Sequence, residues 1–160
     1  MTTAQTRQAY GAQVAGIIAL ATILGAWGFQ LIGGYVPCPL CLQQRWPYYI
    51  GIPIIALAWW FATSGKPGAR LLLTLFALVM LVGAGLGVYH SGVEWHWWPG
   101  PTACASGAGL SGGLPDLTKA RVISCDQAQW RFLGLSFAGW NVVVSLLVAA
   151  LALRAARARD

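Results

Sequence analysis

Cys38 and Cys41 have two residues between them, and Arg45 stands four residues after the second cysteine. A Cys-x-x-Cys pair closes a small disulfide ring whose reduction potential is set by its surroundings. A ring that short adds little loop-closure stabilisation, so stability is a weak reason to have one. A thiolate at Cys41 gains from the positive end of a helix starting nearby and from a cation one helical turn on, where Arg45 falls. The competing reading of Arg45 is an interface anchor that snorkels along the apolar edge. The pair lies between two long apolar runs. At a membrane surface, such a pair can exchange electrons with a partner in water and with a lipid-soluble carrier.

Cys104 and Cys125 form a second pair, with twenty residues between them. One reading is a disulfide that pins a loop; another is an exchange site for a soluble dithiol protein. Four cysteines allow three pairings. Four thiolates can also hold zinc, but the wide second pair is unlike a zinc ribbon, and no metal is expected. His90 closes an apolar run, where it is an anchor, a hydrogen-bond donor to a bound carbonyl, or a proton carrier. Trp46, Tyr48 and Tyr49 either line a flat aromatic pocket beside Cys41 or belong to the interfacial belt, as His96 does among its tryptophans.

The elements that must position these residues follow from composition. The chain has 160 residues, 58% hydrophobic and 9% charged, against about 25% charged in a soluble domain. That profile predicts an all-α membrane protein with a single domain over 1–160. Four runs are long enough to cross a hydrocarbon core, at about 14–32, 43–62, 71–89 and 132–153. Pro53 should kink the second. The expected architecture is a four-transmembrane-helix bundle with a long loop over about 90–131, between helices 3 and 4. Leu110, Leu114, Leu117 and Val122 suggest a short surface helix in that loop.

The net charge of +6 comes without a basic stripe interleaved with aromatics, so no nucleic-acid partner is expected. Arg7, Lys66, Arg70, Arg154, Arg157 and Arg159 gather at one end of four antiparallel spans. The other end holds Arg45, Lys119, Arg121 and Arg131, diluted by Glu94, Asp116 and Asp126. The excess of positive charge puts both termini in the cytoplasm and all four cysteines outside, where disulfides persist.

These residues resemble the DsbB family of bacterial inner-membrane disulfide-bond formation proteins. The resemblance rests on Cys38-x-x-Cys41-x-x-x-Arg45 before the second span, on Pro99, Gly100 and Pro101 leading to Cys104, and on the stretch from Cys125 through Trp130 to Leu135. It implies disulfides Cys38–Cys41 and Cys104–Cys125. It implies a ubiquinone or menaquinone as acceptor and a periplasmic DsbA-type thioredoxin-fold protein as partner. Cys104 would form the mixed disulfide with that partner, Cys125 would exchange with Cys38, and Cys41 would be the thiolate facing the quinone. Arg45 would stabilise this thiolate, His90 would sit near the quinone, and Trp130 would support the pocket. Gln44 departs from the acidic residue sometimes found before the arginine.

Two other readings compete. A vitamin K epoxide reductase-like enzyme runs similar chemistry, but that fold typically places its Cys-x-x-Cys late in the chain. A four-helix scaffold with structural disulfides needs no redox activity at all.

Overall fold

A computed structural model describes residues 2–105 and 125–159. Helix α1 runs Thr3–Leu31, α2 Pro39–Gln43, α3 Trp46–Thr63, α4 Ala69–Glu94 and α5 Thr102–Ala105. A hairpin of β1, Arg131–Phe132, and β2, Leu135–Ser136, leads into α6, Phe137–Ala156. The four long helices form the expected bundle, α4 packing on α6, and α1 on both α3 and α6. Helices α1, α4 and α6 are each long and apolar enough to cross a membrane. Helix α3, with three tryptophans, two tyrosines and two prolines, packs as the fourth member, between α1 and α4.

The interior is built from small side chains. Ala12, Ala15 and Ala19 of α1 meet Ala149 and Ala152 of α6 in one buried cluster with Leu73, Phe76 and Met80. Large apolar side chains such as Ile17, Leu24, Leu78, Val82 and Leu147 point outward instead. Small residues let helix backbones approach closely, which is how bundles pack when the surroundings are as apolar as the core. At one end, Ala9, Ala62 and Ala69 cluster together, bringing the α3–α4 turn beside the start of α1. Arg7, Lys66 and Arg70 therefore share that end.

Several boundaries differ from those expected. Helix α1 begins at Thr3, not near 14, because Thr2 and Gln5 form a reciprocal capping box. The second span is broken into α2 and α3, with Pro47 in the first turn of α3 and Pro53 accommodated inside it. Helix α4 continues past residue 89 to Glu94, since His90 and Val93 face inward and are buried. The last helix starts at Phe137, not 132, capped by Ser136 Oγ, which accepts from the Gly139 N–H at 3.2 Å. Leu133 and Gly134, both at positive φ, turn the hairpin before it. The loop over 90–131 thus contains the end of α4, α5 and β1, and the surface helix expected over Leu110 to Val122 lies outside the described residues.

Candidate functional site

Pro39 starts α2 at a position where a missing N–H costs nothing, and Cys38 is its N-cap. The Cys38 sulfur accepts the Cys41 N–H at 3.1 Å. The two sulfurs lie 2.7 Å apart, longer than a disulfide bond. Cys104 and Cys125 are bonded to each other. Cys38, Cys104 and Cys125 are buried in a single cluster with Leu40 and Val93, and Cys41 packs against it. The loop pair is thereby brought against the Cys-x-x-Cys pair, as exchange between them requires. Gln129 helps to hold this arrangement, donating to the Val36 carbonyl at 2.8 Å.

The proton of the dithiol is unevenly shared. Cys38 is lowered from 9.0 to about 5, first by the hydrogen bond from the Cys41 thiol, then by His90 and the Cys41 N–H, against the opposing effect of burial. Cys41 is pushed up, mainly by that same bond to Cys38 and by burial. Cys38, as N-cap, also accepts the Cys41 N–H, whereas the expected thiolate at Cys41 belongs to the state in which Cys38 is engaged with Cys125. The largest cause raising Cys41, the bond to Cys38, disappears once Cys38 enters a mixed disulfide, while burial remains.

An apolar cavity of about 500 Å³ opens beside the pair, lined among others by Cys41, Arg45, Tyr48, His90, Glu94 and Trp130. Arg45 is only 8% exposed. Its Nη1 donates to Gln30 Oε1 at 2.6 Å, and its guanidinium lies 5.2 Å from the Trp27 ring centroid. Among the described residues it has no acidic partner and no hydrogen bond to Cys41. Tyr48 is buried and bonded through its hydroxyl to Asn141 and Ser145 of α6, at 2.9 and 3.1 Å. Tyr49 is on the exposed face, outside the cavity lining, where it accepts from Trp27 Nε1. Trp130 stacks on Phe132 and Phe137 and makes one flat wall. His96 is exposed, 4.0 Å from Asp126.

His90 sits at the centre of the polar corner. Its Nε2 is 3.7 Å from Cys38 Sγ and 3.9 Å from Glu94 Oε1, and its Nδ1 is hydrogen-bonded to Gln44. Gln44 therefore serves the histidine, not Arg45. Gln30, Gln44, Glu94, Asn141 and Ser145 were not assigned to the site from sequence. The available signal was a lone polar side chain within an apolar helix, a default marker of function in a membrane segment.

A buried dithiol, a disulfide packed against it and an adjoining apolar cavity with a buried cation define a thiol–disulfide relay set in a helical bundle of membrane type. The family described as Disulfide bond formation protein DsbB matches residues 8–155, and the chain belongs to it. The chain is 32% identical over 146 residues to a disulfide bond formation protein B of Nitrosospira multiformis, covering 87% of this chain and 82% of that one. A protein of the same name from Aromatoleum aromaticum is 29% identical over 145 residues, covering 83% and 85%. One from Polaromonas is 28% identical over 162 residues, covering 92% and 94%. No solved structure gave a significant match.

Proposed function

We propose that this protein is a quinone-dependent thiol oxidase that reoxidises a periplasmic DsbA-type dithiol protein. The observation that carries the reading is the buried Arg45, without a carboxylate partner among the described residues, lining the same cavity as Cys41. A cation in low dielectric is far more effective than in water, and it asks for an electron-rich ligand oxygen. The residues fit a quinone: the Trp130 wall takes a flat ring, and Arg45 and His90 can donate to its oxygens. The quinone, ubiquinone or menaquinone, supplies the acceptor, taking up two electrons and two protons to become quinol.

The chain's own sulfurs carry the electron pair inward. A partner thiolate attacks the Cys104–Cys125 disulfide at Cys104, and the second partner thiol resolves this bond, leaving the partner oxidised and Cys104 and Cys125 reduced. Cys125 then attacks an oxidised Cys38–Cys41 ring at Cys38, releasing Cys41 as a thiolate. Cys104 closes the loop disulfide again and leaves a Cys38–Cys41 dithiol. His90 accepts a proton from the dithiol, and Gln44 fixes its ring.

The three apolar helices and the fourth between them cross the bacterial inner membrane, in contact with lipid. The end carrying Arg7, Lys66, Arg70, Arg154, Arg157 and Arg159 faces the cytoplasm, and the cysteine end, with the loop between the last two spans, faces the periplasm. Labelling of intact cells tests this placement. A periplasm-restricted maleimide should label Cys38→Ser protein at its free Cys41; labelling only after the inner membrane is opened would overturn it.

A further inference from the structure

We infer that the reduced Cys38–Cys41 pair and His90, with Glu94 reaching in as the fourth ligand, form a binding site for a thiophilic divalent cation of the zinc class. This goes beyond the redox reading and needs no quinone. One ligand atom each from Cys38, Cys41 and His90 lie within 4.8 Å of one another. Zinc at ~2.3 Å from sulfur and ~2.0 Å from imidazole nitrogen, in tetrahedral angles, sets sulfur and nitrogen ~3.6 Å apart. Cys38 Sγ and His90 Nε2 are already 3.7 Å apart. The sulfurs, at 2.7 Å, must separate by ~1 Å to reach tetrahedral spacing, and Cys41 is the less buried of the two.

A second observation points to the same ligand. Glu94 Oε2 is buried and has no hydrogen-bond partner among the described residues, and the Glu94 side chain is only 5% exposed. Its other oxygen is 3.9 Å from His90 Nε2. A buried carboxylate oxygen without a donor is costly, and a cation satisfies it. The Gln44 bond to Nδ1 fixes the histidine's orientation, the support that metal-bound histidines regularly have. All four side chains line the cavity, which gives the cation room and a path of entry.

Binding replaces the thiol protons with the cation and releases them to solvent. It requires both sulfurs as thiolates, so the oxidised ring cannot bind. The cation would therefore trap the enzyme in its reduced state and block electron delivery into the cavity.

The test uses the full-length chain in detergent with Cys104→Ser and Cys125→Ser, so that only Cys38 and Cys41 report. The protein is reduced, freed of reductant without oxygen, and titrated with Cd2+ while its thiolate-to-metal absorbance is followed. Zn2+ is titrated against a chromophoric chelator. One cation per chain is expected in the reduced form and none after oxidation of the pair. His90→Ala and Glu94→Gln should each weaken binding at least ~10-fold, with His90→Gln as the second histidine variant and circular dichroism as the check on helix content. The inference falls if the reduced protein binds no cation or if the oxidised form binds equally. It also falls if the His90 and Glu94 variants bind like the parent, which is chelation by two thiols alone. Because the readout is cation binding, failure of the quinone reaction would leave this result unaffected.

Discussion

Replacing Arg45 with methionine isolates the feature on which the quinone reading turns. The guanidinium is buried, bonded to Gln30 Oε1 at 2.6 Å, and free of any carboxylate among the described residues. No opposite charge is orphaned by its removal, so the folding cost is that of the lost donor at Gln30, ~1–3 kcal/mol, together with the weaker contacts to the Ala26 carbonyl and the Trp27 ring. A hydrogen bond from a charged donor to a ligand oxygen is worth ~1.5–3 kcal/mol, and each ~1.4 kcal/mol is tenfold. Arg45→Met should therefore lower kcat/KM for quinone by ~10-fold to ~150-fold. Arg45→Lys keeps the charge but loses the planar fork, and should fall between the parent and the methionine variant. The assay is quinol formation at limiting quinone, with reduced DsbA-type protein in excess. In parallel, single-turnover exchange between that protein and the Cys104–Cys125 disulfide, without quinone, should stay unchanged. A methionine variant within twofold of the parent in kcat/KM would refute the role given to Arg45. An equal loss in both assays would show a folding defect instead.

Ultraviolet thiolate absorbance of the reduced inner pair, in the Cys104→Ser, Cys125→Ser background, should titrate near pH 5, where the thiolate at Cys38 is held. A lowered pKa means the thiolate is present above that pH and is lost below it. Cys41→Ala removes the largest cause and should move the transition up, while Cys41→Ser keeps a donor and should move it less; a transition near 9 in the parent would contradict the shared proton. A Cβ at Gly87 would meet Val142 Cγ2 at 2.7 Å, whereas one at Gly85 meets nothing within 4 Å. Gly87→Ala should thus destabilise the α4–α6 contact by ~1–3 kcal/mol and Gly85→Ala should not, as read by thermal unfolding in detergent; equal midpoints would argue against this packing. Trp130→Ala removes the flat wall of the cavity and should raise KM for quinone more than it lowers kcat; an unchanged KM would place the ring elsewhere.

Much of this arrangement was legible in the sequence because apolar runs of spanning length report their own existence. The bundle and the positions of Cys38, Cys41, Cys104 and Cys125 between spans follow from that pattern alone. The ends of helices were less legible. Thr2 and Gln5 extend α1 through a local cap that hydropathy does not register. Leu133 at φ 51 is an unfavourable conformation for a leucine, so nothing in its type announces the hairpin before α6. The N-cap role of Cys38 had a similar origin: its sulfur receives the Cys41 N–H, a fact of backbone geometry. Glu94 was visible only as an acid near a helix end. That it reaches His90 depends on α4 continuing one turn further than its apolar run. Gln44 looked like a missing counter-ion for Arg45, and only the folded chain reveals its bond to His90.

The most direct measurement mixes the purified oxidised protein with a reduced DsbA-type partner and added quinone under anaerobic conditions, following thiols and quinol together. Two thiols should be lost for each quinol formed, and Cys38→Ser or Cys41→Ser should abolish quinol formation while the protein remains folded. Partner oxidation that proceeds without quinol, or quinol formation that survives loss of either cysteine, would contradict a relay that passes electrons through this pair.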